Sequence, residues 1–114
     1  MGPVRVISTE ELTARNITSF GSNGFGVVPV AADAHVVLAR LAPGGIIGRH
    51  PAVVDQCLVV LSGEAEVSGA DGVTQVLHQG SAALWSAGES HETRSKAGLT
   101  AIVVESAGLA AAFD

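Results

Sequence analysis

The sequence predicts an all-β domain, a small sandwich or barrel of short strands, and three features predict it. Apolar or alternating segments of strand length recur along the chain from Val27 onward. Glycine-rich turn signals separate them, and 14 glycines in 114 residues suit a protein of many turns. Asp71-Gly72, between Glu66-Val67 and Val73, is the hairpin signal that short antiparallel strands use.

The elements follow in chain order, beginning with an exception to the β pattern. Ser8-Thr9-Glu10-Glu11 has the form of a capping box, with Ser8 as N-cap and Glu11 reaching back, and it predicts a short helix over 9–14. Residues 19–26, with three glycines, form a loop suited to flexibility or to tight turns. Strands are then predicted over 27–30, 35–41, 46–50, 56–61, 64–67, 73–77, 82–85 and 99–105. The punctuation between them includes Ala32-Asp33, Pro43-Gly44-Gly45, Ser62-Gly63, Gln79-Gly80 and Ala87-Gly88. Residues 107–114 have the pattern of one weak helical turn. The expected organisation is a short helix and loop over 1–26 packed on a strand domain over 27–106, with a tail over 107–114.

Bulk composition narrows the classes of function. A chain of 114 residues closes one hydrophobic core without staples. Apolar residues make up 47% of it and the mean hydropathy is +0.43. No stretch approaches the roughly 18 apolar residues of a membrane span. The longest apolar run, Cys57-Leu58-Val59-Val60-Leu61, is of strand length. Its surplus apolarity predicts a buried outer face and hence a homodimer through outward-facing strands. The net charge of −5, with 6 Lys and Arg and no basic cluster, argues against a nucleic-acid partner. A single cysteine excludes an internal disulfide framework. Arg5, Glu10 and Glu11 without an apolar stretch give no signal-peptide pattern, and Val6 does not suit a myristoylation site. The expected location is the cytoplasm, with no membrane partner.

Two Gly–His frames carry the chemistry. The first reads Gly44, five residues, His50, Pro51, Ala52, three residues, Gln56, six residues, Gly63. The second reads Gly80, five residues, Ser86, Ala87, Gly88, two residues, His91, three residues, Ser95. In spacing these frames resemble the two motifs of the cupin superfamily, G-x5-H-x-H-x(3,4)-E-x6-G and G-x5-P-x-G-x2-H-x3-N. The likeness spans Gly44 to Ser95 without a gap, and the flanking strands extend it to most of the chain. It implies a jelly-roll barrel, the cupin double-stranded β-helix. It also implies one divalent metal ion inside the barrel, of iron, manganese, zinc or nickel, held by the histidines and glutamate of the motifs.

Carried over by position, His50 and His91 are retained ligands, Gln56 stands for the glutamate, and Ala52 stands where the second histidine would be. Ser86 and Ser95 replace a proline and an asparagine whose roles are mainly structural. Alternation along a strand puts His50 and Ala52 on one side, and Gln56 can face them from the next strand. Two imidazoles and an amide oxygen would leave several positions open on a metal. With no protein anion among them, the ion would suit a carboxylate or enolate ligand. Some metal-active cupins carry glutamine at the acidic position, whereas Ala52 removes an imidazole outright.

Two readings therefore stand side by side. One is a barrel that binds a small organic molecule, an anionic one among the candidates, as a metal-dependent isomerase, cyclase or dioxygenase. The other is a metal-free, degenerate barrel acting as a ligand-binding or interaction module. No catalytic residue is assigned. Arg40, Trp85 and Ala52 are the candidate ligand-contacting residues beside the metal set of His50, Gln56 and His91. Bland roles are expected for the rest. Cys57 is read as a buried structural thiol, His78 as a surface residue, and Arg49, Glu64, Glu66, Glu89, Glu92 and Arg94 as charges on strand faces or the rim. His35 is not expected to replace the imidazole missing at Ala52.

Overall fold

Alternating apolar residues sort the strands into two antiparallel sheets that face each other across one core. The computed structural model describes residues 2–113; Met1 and Asp114, the outermost residues of the expected N-terminal segment and tail, lie outside the described residues. The strands are β1 (Arg5–Ser8), β2 (Arg15–Ile17), β3 (Phe25–Val27), β4 (His35–Leu41), β5 (Gly45–Pro51), β6 (Gln56–Gly63), β7 (Ala65–Ser68), β8 (Thr74–Leu77), β9 (Ser81–Trp85), β10 (Ser90–Ser95) and β11 (Leu99–Glu105). A five-stranded sheet has the order β1-β9-β6-β11-β4 and a four-stranded sheet the order β5-β10-β7-β8. The ribbon β2-β3 stands beside them. The architecture is the predicted jelly-roll barrel.

Strand period explains what lies between the sheets. Leu58 and Val60 of β6, Ala83 and Trp85 of β9, and Ala101 and Val103 of β11 point inward and meet Val67 and Leu77 from the other sheet. The intervening residues point outward. Cys57 of β6 and Ala82 and Leu84 of β9 are covered there by Leu109 and Phe113 of a C-terminal 3-10 turn, Leu109–Phe113.

Two expectations need correction. The helix over 9–14 is a single 3-10 turn, Thr9–Glu11, and the Ser8 side chain makes no capping bond. Ser8 is instead the last residue of β1, paired with Ser81, and Thr9 turns toward Gly80, donating from its backbone N (3.1 Å) and Oγ1 (2.8 Å) to the Gly80 carbonyl. The ladder to β9 and the Gly80 carbonyl thus take up the backbone groups that the expected cap would have served. Second, the strand over 27–30 ends at Val27, in β3. The run Cys57–Leu61 does have a buried outer face at Cys57, while Leu61 at its end is 44% exposed. Cys57, Leu58 and Val60 are buried, because the C-terminal turn lies over one side of β6 and the core over the other.

The glycines of the two frames explain why the spacing is kept. Gly44, Gly63, Gly80 and Gly88 all have φ between +80° and +85°. Side chains are strained in that region, so each marks a turn that aims the following strand.

Candidate functional site

One end of the barrel collects the chemistry, because six strands start or stop there with inward-facing residues. His50 is the next-to-last residue of β5 and His91 the second of β10, and the two are directly paired across the ladder. Their ring centroids lie 4.4 Å apart with a 52° tilt. Trp85, at the end of β9, stacks under His91 at 4.6 Å and so joins the two sheets. Gln56, opening β6, is paired with Trp85 on one side and with Glu105 on the other. Glu105 is paired in turn with His35. A polar row therefore runs His35–Glu105–Gln56–Trp85 across one sheet and continues through His91 to His50 on the other.

Backbone carbonyls set the proton positions of the two imidazoles. His50 Nδ1 lies 2.6 Å from the Gly48 carbonyl oxygen and His91 Nδ1 lies 3.2 Å from that of Glu89. A ring nitrogen against a carbonyl must carry the proton, so in the neutral rings Nε2 keeps its lone pair. His91 is buried at 3% exposure while His50 is exposed. Burial pushes His91 below its ordinary value of 6.5, and the neighbouring His50 adds to the fall against the pull of the Glu89 carbonyl. His91 is a neutral acceptor at pH 7.

The donor set can be tested against the ion that the resemblance implies. Two imidazoles that share an ion at right angles have ring centroids about 4.5 Å apart, so the His50–His91 spacing suits two positions. The rest does not fit. Ala52 continues the ladder beyond β5, with its N–H on the Glu89 carbonyl (2.9 Å) and its carbonyl accepting from Gly88 (2.7 Å), and its methyl is buried. Gln56 brings no charge. Among the described residues no group of three or more His, Cys, Asp or Glu side chains could hold a metal ion.

The other expected site residues separate. Trp85 is 1% exposed and its indole N–H goes to the Ser68 carbonyl (3.2 Å), so it is the floor beneath His91. Arg40 leaves the site altogether. It pairs with Thr100, on the outward face of β4 and five residues from His35, which places it near the opposite end of the barrel. Alternation from His35 gives this result, because odd positions of β4 share the inward face and even ones do not. Arg49 binds the Gly69 carbonyl (3.0 Å) and the Ser68 hydroxyl, pinning the end of β7. Glu92 pairs with Arg94 at 2.6 Å, and His78 lies exposed against Glu64 at 3.2 Å. Cys57 is buried away from the imidazoles, and burial pushes its thiol up to about 11.

Two residues escaped the sequence reading. Glu105 lies beside Gln56 at the same mouth, with His35 3.8 Å from its carboxylate. Asp55 ties three segments together there: its carboxylate accepts from Ala87 N (2.9 Å) and Ala110 N (3.0 Å), and its carbonyl accepts from Ser106 N (3.1 Å). The only signal for either was its place next to a predicted strand end.

Comparison with known proteins agrees with this fold. The family model described as the cupin domain matches residues 37–105. A conserved Streptococcus pyogenes protein of unknown function is similar in structure, with 25% identity, TM-score 0.61, and coverage of 68% of this chain and 67% of that one. A Rhizobium leguminosarum protein of unknown function shows 29% identity and TM-score 0.57, covering 63% of this chain and 68% of its own. A cupin superfamily protein of Desulfitobacterium hafniense aligns most broadly of these three, over 87% of this chain and 86% of its own, with TM-score 0.61 at 16% identity. No functionally curated protein matches the chain.

Proposed function

The chain belongs to the cupin family, and from that premise we propose that its barrel mouth binds a small hydroxylated organic molecule between His50, Gln56 and His91 without a resident metal ion. The observation that carries this reading is the imidazole pair, each ring held by a backbone carbonyl at Nδ1 so that Nε2 is the ring nitrogen left to face a ligand. Two acceptor nitrogens suit the O–H or N–H donors of a ligand directly. An anion would suit them only after an imidazole takes a proton or a cation intervenes. Gln56, paired with Trp85 at the same end of the barrel, offers both an amide donor and an acceptor, and Glu105 adds a carboxylate one strand away. Trp85 supplies a rigid ring beneath His91. This is the metal-free, ligand-binding reading of the sequence, and the loss of charge at Gln56 and of a ligand at Ala52 favours it.

Elemental analysis of protein purified without chelators tests it, on wild type and on the His50→Ala/His91→Ala double variant. Only trace metal is expected in both, before and after incubation with iron, manganese, zinc or nickel. Hydroxylated small molecules should raise the melting temperature of the wild type and leave the double variant unmoved. Near-stoichiometric metal that disappears in the double variant would overturn the proposal. It would restore the metal-dependent isomerase, cyclase or dioxygenase and name the ion for its assay.

A further inference from the structure

The largely apolar cavity of the molecule, about 470 Å³, is not at the imidazole pair but on the outward face of the five-stranded sheet. That face reads as three rows across β4, β11 and β6. The first is Arg40–Thr100–Ser62, the second Leu38–Ile102–Val59, and the third Val36–Val104–Cys57. A cation and two hydroxyls thus occupy one end, and everything beyond them is aliphatic or a thiol. Val28, Val30 and Phe113 close over the apolar end, while Arg40, Ser62 and Thr100 share a separate recess of about 590 Å³ with the Gly63 and Gly98 backbone.

We infer that this face binds a medium-chain carboxylate, its alkyl chain in the groove over Ile102 and Val104 and its carboxylate on Arg40, Thr100 and Ser62. Charge complementarity selects the head group. Among the described residues Arg40 has neither a hydrogen bond nor an ion pair, and the hydroxyls of Thr100 and Ser62 follow it in register across the next two strands. The groove selects the tail. Its volume lies in the roughly 300–1,000 Å³ range of small-molecule sites, and of its lining only Thr9 and Cys57 carry polar side-chain atoms. Cys57 stays a neutral thiol, its ionisation pushed up to about 11, so no charge opposes a chain there.

Length agrees as well. The first and third rows are four residues apart along β4, roughly 13 Å, which is the reach of about ten methylenes. Between the two recesses the chain would cross Leu38, 54% exposed, and it would end beside Val36, 55% exposed, so binding removes apolar surface that the fold leaves in water. The site is distinct from the imidazole pair, since odd and even residues of β4 face opposite sides of the sheet.

Titration calorimetry with dodecanoate below its micelle threshold tests the inference, with dodecanol as the uncharged probe and sedimentation on the same samples. Saturable binding at one dodecanoate per chain is expected. Arg40→Gln should weaken dodecanoate about tenfold, as loss of a charge-assisted contact does, and leave dodecanol unchanged. Leu38→Glu, an exposed position, should weaken both, and His50→Ala/His91→Ala should alter neither. Unchanged melting temperatures would show that the variants fold. No saturable binding, or equal affinity of wild type and Arg40→Gln for dodecanoate, would overturn the inference. So would a stable dimer that excludes dodecanoate and falls apart on Leu38→Glu, which would assign the face to a second copy.

Discussion

His91 joins packing to proton chemistry, because one ring is at once a wall against Trp85 and an acceptor at the mouth. Its ionisation is lowered by burial, so protonation favours the unfolded chain, where the ring regains its ordinary value of 6.5. The stabilisation is complete above that value and is lost as pH falls from it through the lower folded value. We therefore expect the urea midpoint of wild type to drop on acidification from pH 7.5 toward 5, and the drop to shrink in His91→Gln. A variant with the full wild-type drop would place the titration elsewhere. Asp55 belongs to the same scale. Asp55→Ala removes the acceptor of two backbone N–H groups from different loops, and it should cost about 2 kcal/mol in urea unfolding. At this scale the sequence was half legible. The frames located His50 and His91 because motif spacing reports ladder register. Asp55, Glu105 and the misassigned Arg40 depend on which loops and faces meet, and local spacing carries no record of that.

At the scale of elements, legibility followed apolar content. β4 and β11 have the predicted bounds, and β6, β9 and the β7–β8 hairpin differ by a residue or two, since most of their inward positions are filled by Val, Leu, Ala and Trp. β10 was missed as a strand because it reads Ser-His-Glu-Thr-Arg-Ser, with no apolar residue at all. Its inward positions His91, Thr93 and Ser95 are nevertheless buried. The Ser95 hydroxyl shows how such a strand is accommodated, donating to the Glu64 carbonyl (2.7 Å) and accepting from Gly98 N (3.0 Å). Those bonds tie together two turns, which fits the structural role expected where the family motif has asparagine. The turns themselves give a paired prediction. A Cβ at Gly63 would lie 2.3 Å from the Gly98 carbonyl oxygen, whereas at Gly72 it would meet nothing within 4 Å, although both residues have positive φ. Gly72→Ala should cost about 1 kcal/mol, from handedness alone. Gly63→Ala should cost about 3 kcal/mol or more in the same denaturant assay, because backbone must also move.

For the whole molecule, the decisive question is which outward surface the chain covers for itself. Hydropathy along β6 announced a second buried face but could not say what buries it. The answer lies some fifty residues away in sequence, where Leu109 and Phe113 close over Cys57, Ala82 and Leu84. A short C-terminal turn thus shields the middle of the sheet and leaves Val36 and Leu38 of the edge strand exposed. The shield can be removed with one substitution. Leu109 is 2% exposed, so Leu109→Ala should destabilise the fold by about 2–5 kcal/mol. It should also open the face locally, since this cover is a single 3-10 turn without sheet pairing of its own. Cys57, the one cysteine of the chain, reports that opening. In wild type its thiol is 0% exposed, with its ionisation raised to about 11, so alkylation at neutral pH should be slow. In Leu109→Ala alkylation should accelerate by more than the change in global stability explains, and hydrogen exchange should increase first in residues 106–113. If labelling instead followed global unfolding alone, the turn would be part of the core's cooperative unit, and the outer face would form together with the barrel.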